Sequence, residues 1–287
     1  MDFHERGSNV SLHLNNLSLL EDVSSINYEH IQFFNHETLG KVLLLDGELQ
    51  HIEAWAPLYH ETVVHLPCAF IKEVSDVLIL GGGDFFAAKE ILKYSTVKKV
   101  TMVDFDQAVV DLMVRHYTHA KDVLCDPRFE LKINDAFVEL NNTTQKFDLI
   151  INDAVDLANH PGIDNKGIFQ LLSKYLKKDG VCADLIYRHI FEKDTTNKTI
   201  ALINENGLKS AFSLVTVPEY PGILHLLAIW GLNENINQSL GTAINLDQQE
   251  WIKNSKKTCE YFDPRFLSFY LYLPPYLKRI TNGSSNF

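Results

Sequence analysis

What this sequence lacks narrows it first. No stretch of its 287 residues approaches ~18 uninterrupted apolar positions, so no membrane span is expected. The opening segment, MDFHERGSNVSLHLNNLSLL, has no cationic stretch followed by a continuous apolar one, which argues against a secretory signal. Four cysteines, Cys68, Cys125, Cys182 and Cys259, are scattered without a CxxC pair, as expected for buried or half-buried thiols in a reducing cytosol. No basic stripe offsets the formal net charge of -11, which argues against a nucleic-acid partner and suits a cationic substrate. No internal repeat is present. A cytoplasmic enzyme is the default expectation.

What is present reads as an ordinary globular chain, with 46% hydrophobic and 22% charged residues, long enough to bury a real core. Residues 20 to 55 read as short strands, and LGKVLLLDGELQHIE sets Asp46-Gly47 between two of them, a strong hairpin signal. A small antiparallel β domain is therefore expected over residues 1–65. PLYHETVVHL, residues 57 to 66, opens with proline and continues at helical spacing. From Asp76 the pattern alternates. DVLIL, VKKVTMVDFD, FELKIND, FDLIINDAVD and VCADLIY read as buried strands. FAAKEILKYS, QAVVDLMVRHY, AFVELNN and KGIFQLLSKYLKKDG read as the intervening helices, the last stopped by Gly180. FSLVTVPEY and LHLLAIWG read as a closing antiparallel pair. The expectation for residues 66–287 is an α/β domain, a Rossmann-like, doubly wound, mostly parallel sheet of the class I methyltransferase kind.

In such a sheet ligands bind beyond the carboxyl ends of the strands. The first four strands of the domain end in Gly81, Gly82, Gly83 and Asp84, then Asp104 and Asp106, then Asn134 and Asp135, then Asp153 and Asp156. GGGDFFA is not the GxGxxG of a dinucleotide site, and Asp84 would repel a pyrophosphate. An acid at the turn instead favours a ligand with an amine or sulfonium. That points to an S-adenosyl compound, with Asp104 on the ribose and Asp135 near the adenine edge. Each acid taken singly could equally cap a turn or helix.

LGKVLLLDGELQ, YHETVVHLP, LILGGGD, VDFD, NDAF, DLIINDAVD, VPEYPG and YFDPRFLSFYLYLPPYLKR, in that order, resemble the spermidine synthase family of polyamine aminopropyltransferases. The likeness runs from about Tyr28 to Tyr276. It implies decarboxylated S-adenosylmethionine as co-substrate, no tightly bound cofactor, a small polyamine acceptor, and a homodimer. By position, Asp84 would hold the donor's aminopropyl amine, and Glu29, Gly81, Gly82, Gly83, Asp104, Asn134 and Asp135 would surround the nucleoside. Asp153 would orient and deprotonate the attacking amine, while Tyr59, His60, Asp156 and Tyr220 would bind the acceptor. A protonated amine is no nucleophile, so a carboxylate must help remove its proton. The sulfonium already provides the leaving group, so no metal is expected.

Several residues depart from the family pattern. Phe85 and Phe86 replace the last two glycines of its GGGDGG turn, and Asp153-Ala154-Val155-Asp156-Leu157 replaces DSSDP. AWAP replaces an acidic pair before YHE, and Glu29 stands where the family has glutamine. These changes keep two alternatives open. One is an S-adenosylmethionine-dependent N-methyltransferase or other alkyltransferase, although plant putrescine N-methyltransferases lack the acid after the glycine triplet. The other is a non-catalytic nucleoside-binding relative. HETVVH looks like a zinc helix, but His60 and His65 are five apart, not four, which spreads them around the helix. His160, His189 and His225 have no partner spacing, and YLKKDG reads as a helix end favoured by the macrodipole.

Overall fold

Long apolar runs of strand length can only be buried on both faces, and here they form one sheet between two layers of helix. The computed structural model describes residues 3–4, 12–154, 165–186, 193–220, 224–234, 236 and 259–281. A two-residue pair, β1 (Phe3–His4) with β2 (His13–Leu14), precedes a four-stranded antiparallel sheet. That sheet is β3 (Ser18–Val23), β4 (Ile31–His36), β5 (Gly40–Leu45) and β6 (Glu48–Ile52), in sequence order. Asp46 and Gly47 make the tight turn between β5 and β6 with φ of 49° and 80°, the left-handed pair that such a hairpin demands.

Helix α1 (Ala56–Cys68) leads from this sheet to the next, and the expected division between residues 65 and 66 lies within it. The second sheet contains β7 (Asp76–Gly81), β8 (Lys99–Asp104), β9 (Phe129–Ile133), β10 (Phe147–Asp153), β11 (Leu176–Leu185), β12 (Lys209–Val215) and β13 (His225–Gly231). Their order is β12-β13-β11-β10-β7-β8-β9, parallel except for the pairings of β13. Among the described residues its helices are α2 (Phe86–Ile91), α3 (Gln107–His116), α4 (Thr118–Cys125), α5 (Ala136–Asn142), α6 (Asn165–Tyr175), α7 (Lys193–Glu205), α8 (Leu267–Tyr270) and α9 (Pro275–Thr281). One core, built on Val77, Ile79, Leu149 and Ile151, packs under α1. The other, built on Leu78, Leu80, Ile150 and Trp230, covers the opposite face, as side-chain alternation requires.

Strand order reverses beside β7. The chain winds outward through β8 and β9, then returns to place β10 on the other side of β7. The crevice at that reversal lies where the glycine turn after β7 meets the ends of β8 and β10.

Two expectations need correction. The helix read as ending at Gly180 stops at Tyr175, and residues 176 to 185 are strand. Leu176 pairs with Phe147, so sheet pairing claims the LKKDG segment. Lys177 is accordingly no helix-end cation. Its Nζ bridges Asp76 at 2.6 Å and Asp148 at 2.8 Å, tying three strand starts together. The helix read over FAAKEILKYS closes after Ile91.

Candidate active site

The three glycines are required because the turn is wedged between neighbouring strand ends. Gly81 and Gly82 have φ of 80° and 77°, which L side chains rarely adopt. A Cβ on Gly81 would lie 2.8 Å from the Asp153 carbonyl oxygen, and one on Gly83 would lie 2.7 Å from Asp104 Oδ2. The close approach the glycines allow is thus first to Asp153 and Asp104, which the turn brings together with Asp84.

Phe85 completes the turn in the left-handed region, at φ 66°, with its ring fully buried and 6.1 Å from that of Phe129. The strain of that conformation costs about 1 kcal/mol, and burying a phenylalanine returns about 2 to 3, so burial wins. Phe86 is buried among rings. His60 stacks on it at 5.3 Å, His51 and His119 lie at 5.0 and 4.2 Å, and Tyr117 meets it edge-on at 5.6 Å. Both phenylalanines are therefore packed into the fold and brace the turn.

That brace also fixes the charge on Asp84. His60 Nδ1 faces the Ala56 carbonyl at 2.9 Å, and its Nε2 faces Asp84 Oδ2 at 3.1 Å. With an acceptor at each nitrogen, His60 is set up to donate twice. Burial opposes its charge, but Asp84, with Asp153 adding, pushes His60 up to about 9. In return, the charge and hydrogen bond of His60, with the Phe86 N–H adding, overcome burial and hold Asp84 well below the usual carboxylate range. Burial carries His51 down to about 4 and lowers His119 as well, so those two rings are neutral. Asp84 Oδ1 accepts from Phe86 N at 2.9 Å, and its carbonyl faces His119 Nε2 at 3.0 Å.

Asp153 differs in its partners. The Tyr59 hydroxyl donates to its Oδ1 at 2.6 Å, and burial, reinforced by the Asp84 charge, pushes Asp153 up to about 6. A carboxylate with that value takes a proton readily near neutrality. Burial and the charge of Asp153 push the Tyr59 hydroxyl far above its ordinary value, so it remains a donor.

The other expected residues divide into two groups. Asp104 is 8% exposed, accepts from Asp106 N at 2.9 Å and is raised chiefly by burial. Asn134 follows β9 directly, its N–H donating to the Asp104 carbonyl at 3.0 Å, so β8 and β9 close on each other at the edge. Asp135 caps α5, accepting from Val138 N at 3.0 Å. Asp106 is structural: it caps α3 and accepts from Ser25 Oγ at 2.5 Å and Asn27 Nδ2 at 2.9 Å, binding the N-terminal sheet to the main domain. Glu29 is exposed in the loop before β4. Tyr220 is half-buried with its ring 5.6 Å from that of His225. Asp156, His160 and His189 lie outside the described residues.

Sequence reasoning passed over His51 and His119, which flank Asp84, and over Asp184 at the end of β11. The rule that flagged acids at the ends of the first four strands would have found Asp184 had it been carried to the fifth.

Ligand-type atoms of His60, Asp84 and Asp153 all lie within 4.8 Å of one another, as do those of His65, Glu90 and Cys259. The first set is a converging pair of carboxylates beside a crevice, a geometry that suits an organic ammonium. In that set the His60 imidazolium answers only one of two carboxylates, whereas in the second the Lys93 ammonium, bonded to Glu90, already answers the single carboxylate.

The spermine/spermidine synthase domain model matches residues 56–240. A polyamine aminopropyltransferase of Thermoanaerobacter sp. (strain X514) is 31% identical over 198 residues, covering 69% of this chain and 72% of the relative. A thermospermine synthase of Arabidopsis thaliana is 41% identical over 129 residues, 45% of this chain and 38% of that longer protein. A solved spermidine synthase, in complex with the transition state analogue AdoDATO, superposes with a TM-score of 0.85 over 98% of this chain and 95% of its own, at 21% identity. At that identity the structural match speaks for the fold.

Proposed function

The chain belongs to the spermine/spermidine synthase domain family, and from that premise we propose that it transfers an aminopropyl group from decarboxylated S-adenosylmethionine to a primary amine of a polyamine. The observation that carries this reading is the separation of two acids at one crevice. Asp84 is held ionised and Asp153 is raised to about 6, so one suits a fixed ammonium and the other a moving proton. In the reaction, the acceptor nitrogen attacks the aminopropyl carbon bonded to sulfur. The C–S bond breaks, its electrons neutralise the sulfonium, and methylthioadenosine leaves. The proton lost from nitrogen passes to Asp153, which Tyr59 holds in place through the 2.6 Å hydrogen bond. Positioning and fixed charge supply most of the acceleration.

In this reading Asp104, Asn134 and Asp135 surround the nucleoside with Gly81, Gly82, Gly83 and Glu29, and Asp84 takes the donor's amine. His60, Asp156 and Tyr220 serve the acceptor side. The reading extends to a homodimer in the cytoplasm. Among the described residues no helix is long and apolar enough to cross a membrane. The rival methyl transfer requires full S-adenosylmethionine, whose carboxylate would sit near ionised Asp84. Parallel calorimetric titration with decarboxylated S-adenosylmethionine, S-adenosylmethionine and methylthioadenosine tests this. The decarboxylated donor should bind tighter. Tighter S-adenosylmethionine binding, with a methylated product by mass spectrometry, would instead establish the methyltransferase.

A further inference from the structure

The turn between β12 and β13 brings one more acid to the crevice, and neither catalysis nor nucleoside binding, as described above, uses it. β12 runs antiparallel to β13, and β13 antiparallel to β11, so β12 ends on the same edge of the sheet as Asp153. The turn after β12 carries Glu219 and Tyr220, with Tyr220 N donating to the Val217 carbonyl at 3.2 Å. Packing settles which face it serves. Val215 lies in the core under α1, and Val217 packs on that same core, as Tyr59 does. Glu219 is only 6% exposed, and its charged neighbours are His60 and Asp84, the pair on that same side.

Among the described residues no ion pair includes Glu219. Its own N–H and that of Ile52, at the end of β6, support its charge, and His60 attracts it, but the His60 imidazolium already faces Asp84 at 3.1 Å. Burial, with the Asp84 charge adding, therefore wins and raises the Glu219 carboxyl. A carboxylate accepts about four hydrogen bonds, so two backbone donors leave room on it, and an ammonium would fill that room and balance the charge. Nearby acids are already spent. Glu53, just after β6, accepts from Lys41 N at 2.9 Å and from its Nζ at 3.4 Å, and Glu61 is taken by three backbone N–H groups. Sheet order then indicates the ligand. Asp104, Asn134 and Asp135 come from β8 and β9 on one side of β7, whereas Glu219 comes from β12, beyond β10 on the other.

We propose that Glu219 selects the acceptor, by holding the ammonium that a diamine or polyamine retains while another of its nitrogens reacts at Asp153. This rests on the aminopropyl-transfer reading. Asp84 takes the donor's amine in that reading and Asp153 the moving proton, so Glu219 is a binding and specificity residue, not a proton acceptor.

The test titrates putrescine, a diamine, and butylamine, a monoamine, into the methylthioadenosine complex of wild type, Glu219→Gln and Glu219→Ala. Decarboxylated S-adenosylmethionine is titrated into each protein alone. Glu219→Gln keeps an oxygen for the Ile52 N–H and removes only the charge, and thermal unfolding checks that both variants are folded. Putrescine affinity should fall about tenfold or more in both variants, while butylamine and decarboxylated S-adenosylmethionine affinities stay within about twofold. The KM for putrescine should rise by a larger factor than kcat falls. Unchanged putrescine affinity in Glu219→Gln overturns the proposal and leaves Glu219 as a tie between its turn and β6. An equal loss for both amines also overturns it, as does a loss confined to the decarboxylated donor, which would put Glu219 on the donor side. Failure of wild type to transfer an aminopropyl group to any amine, with Glu219-dependent diamine binding intact, counts against the reaction and leaves the subsite standing.

Discussion

Two histidines on α1 meet carboxylates at nearly equal distance and end in opposite charge states. His60 Nε2 lies 3.1 Å from Asp84 and is pushed up to about 9, whereas His65 Nε2 lies 2.9 Å from Glu90 and is held below its ordinary value. Burial opposes the charge at both, so the third party decides. Asp153 adds negative charge beside His60, while the Lys93 ammonium on Glu90 opposes a proton on His65. The first region keeps an excess of negative charge at a crevice, which fits a cationic ligand. The second is neutralised and serves as a clasp. There His65 also meets Tyr94 OH at 3.1 Å and Cys259 Sγ at 3.4 Å. One helical turn earlier, Glu61 accepts three backbone N–H groups, from Glu260, Tyr261 and Phe262, at 2.7 to 2.8 Å.

The comparison breaks most sharply at Asp153. Asp153→Asn should cut turnover roughly a hundredfold or more while leaving methylthioadenosine affinity and unfolding temperature nearly unchanged. Steady-state rates and thermal unfolding on one sample check both halves. If Asp153 only held its turn, the variant would lose stability and keep its rate.

Glu61 should behave in the reverse sense. Glu61→Gln removes a buried charge from three backbone donors, and a loss of about 2 to 3 kcal/mol is expected. Urea unfolding measures it, with the C-terminal segment gaining amide hydrogen exchange. An unfolding midpoint equal to wild type would show that the segment is held by packing alone.

The two regions were not equally legible in the sequence. The strand-end acids and the glycine turn could be read because period and position mark them, and α1 places Tyr59 and His60 where the YHE segment suggested. Phe85 was not readable as a turn residue, because its left-handed backbone is tolerated only through burial against Phe129, a contact made across the fold. Asp106 and Asp104 are two residues apart in one strand-end motif, yet only the first spends its carboxylate on Ser25, Asn27 and a helix cap. The clasp was invisible for the same reason, since Glu61 and its partners are about two hundred residues apart. The misjudged helix end at Gly180 shows strand pairing overriding a helical pattern.

A smaller effect separates the histidines by pH. The folded value of His60, about 9, exceeds the ordinary 6.5, so its contribution is fully present below about 6.5 and lost as pH rises through about 9. His65 is shifted the other way, so its contribution is lost as pH falls below about 6.5. Unfolding free energies at pH 6.5 and 9.5 should therefore differ more in wild type than in His60→Gln. With the Asp84 side chain 17% exposed, about 1 to 2 kcal/mol is expected. Identical pH dependence in the two proteins would mean that His60 is neutral. The rate should rise as pH passes about 6, where Asp153 loses its proton.

The smallest effect concerns Asp104, and here the comparison narrows to two acids in one strand end. Asp104 Oδ1 is fixed by Asp106 N, and Oδ2 lies against Gly83, so the carboxylate cannot turn away from the crevice without displacing the glycine turn. It is nearly buried and, among the described residues, no side-chain cation is paired with it, so a ribose hydroxyl donating to it would restore part of the hydration it lacks. Asp104→Ala should weaken methylthioadenosine by more than about 1 kcal/mol, the worth of a hydrogen bond to a charged acceptor. Asp106→Ala removes a helix cap and the links to Ser25 and Asn27, so it should lower stability by about 1 kcal/mol and leave nucleoside affinity close to wild type. Calorimetry and thermal unfolding on both variants give four numbers. The ribose assignment stands only if affinity falls in the first variant and stability in the second, and equal methylthioadenosine affinity in wild type and Asp104→Ala removes it.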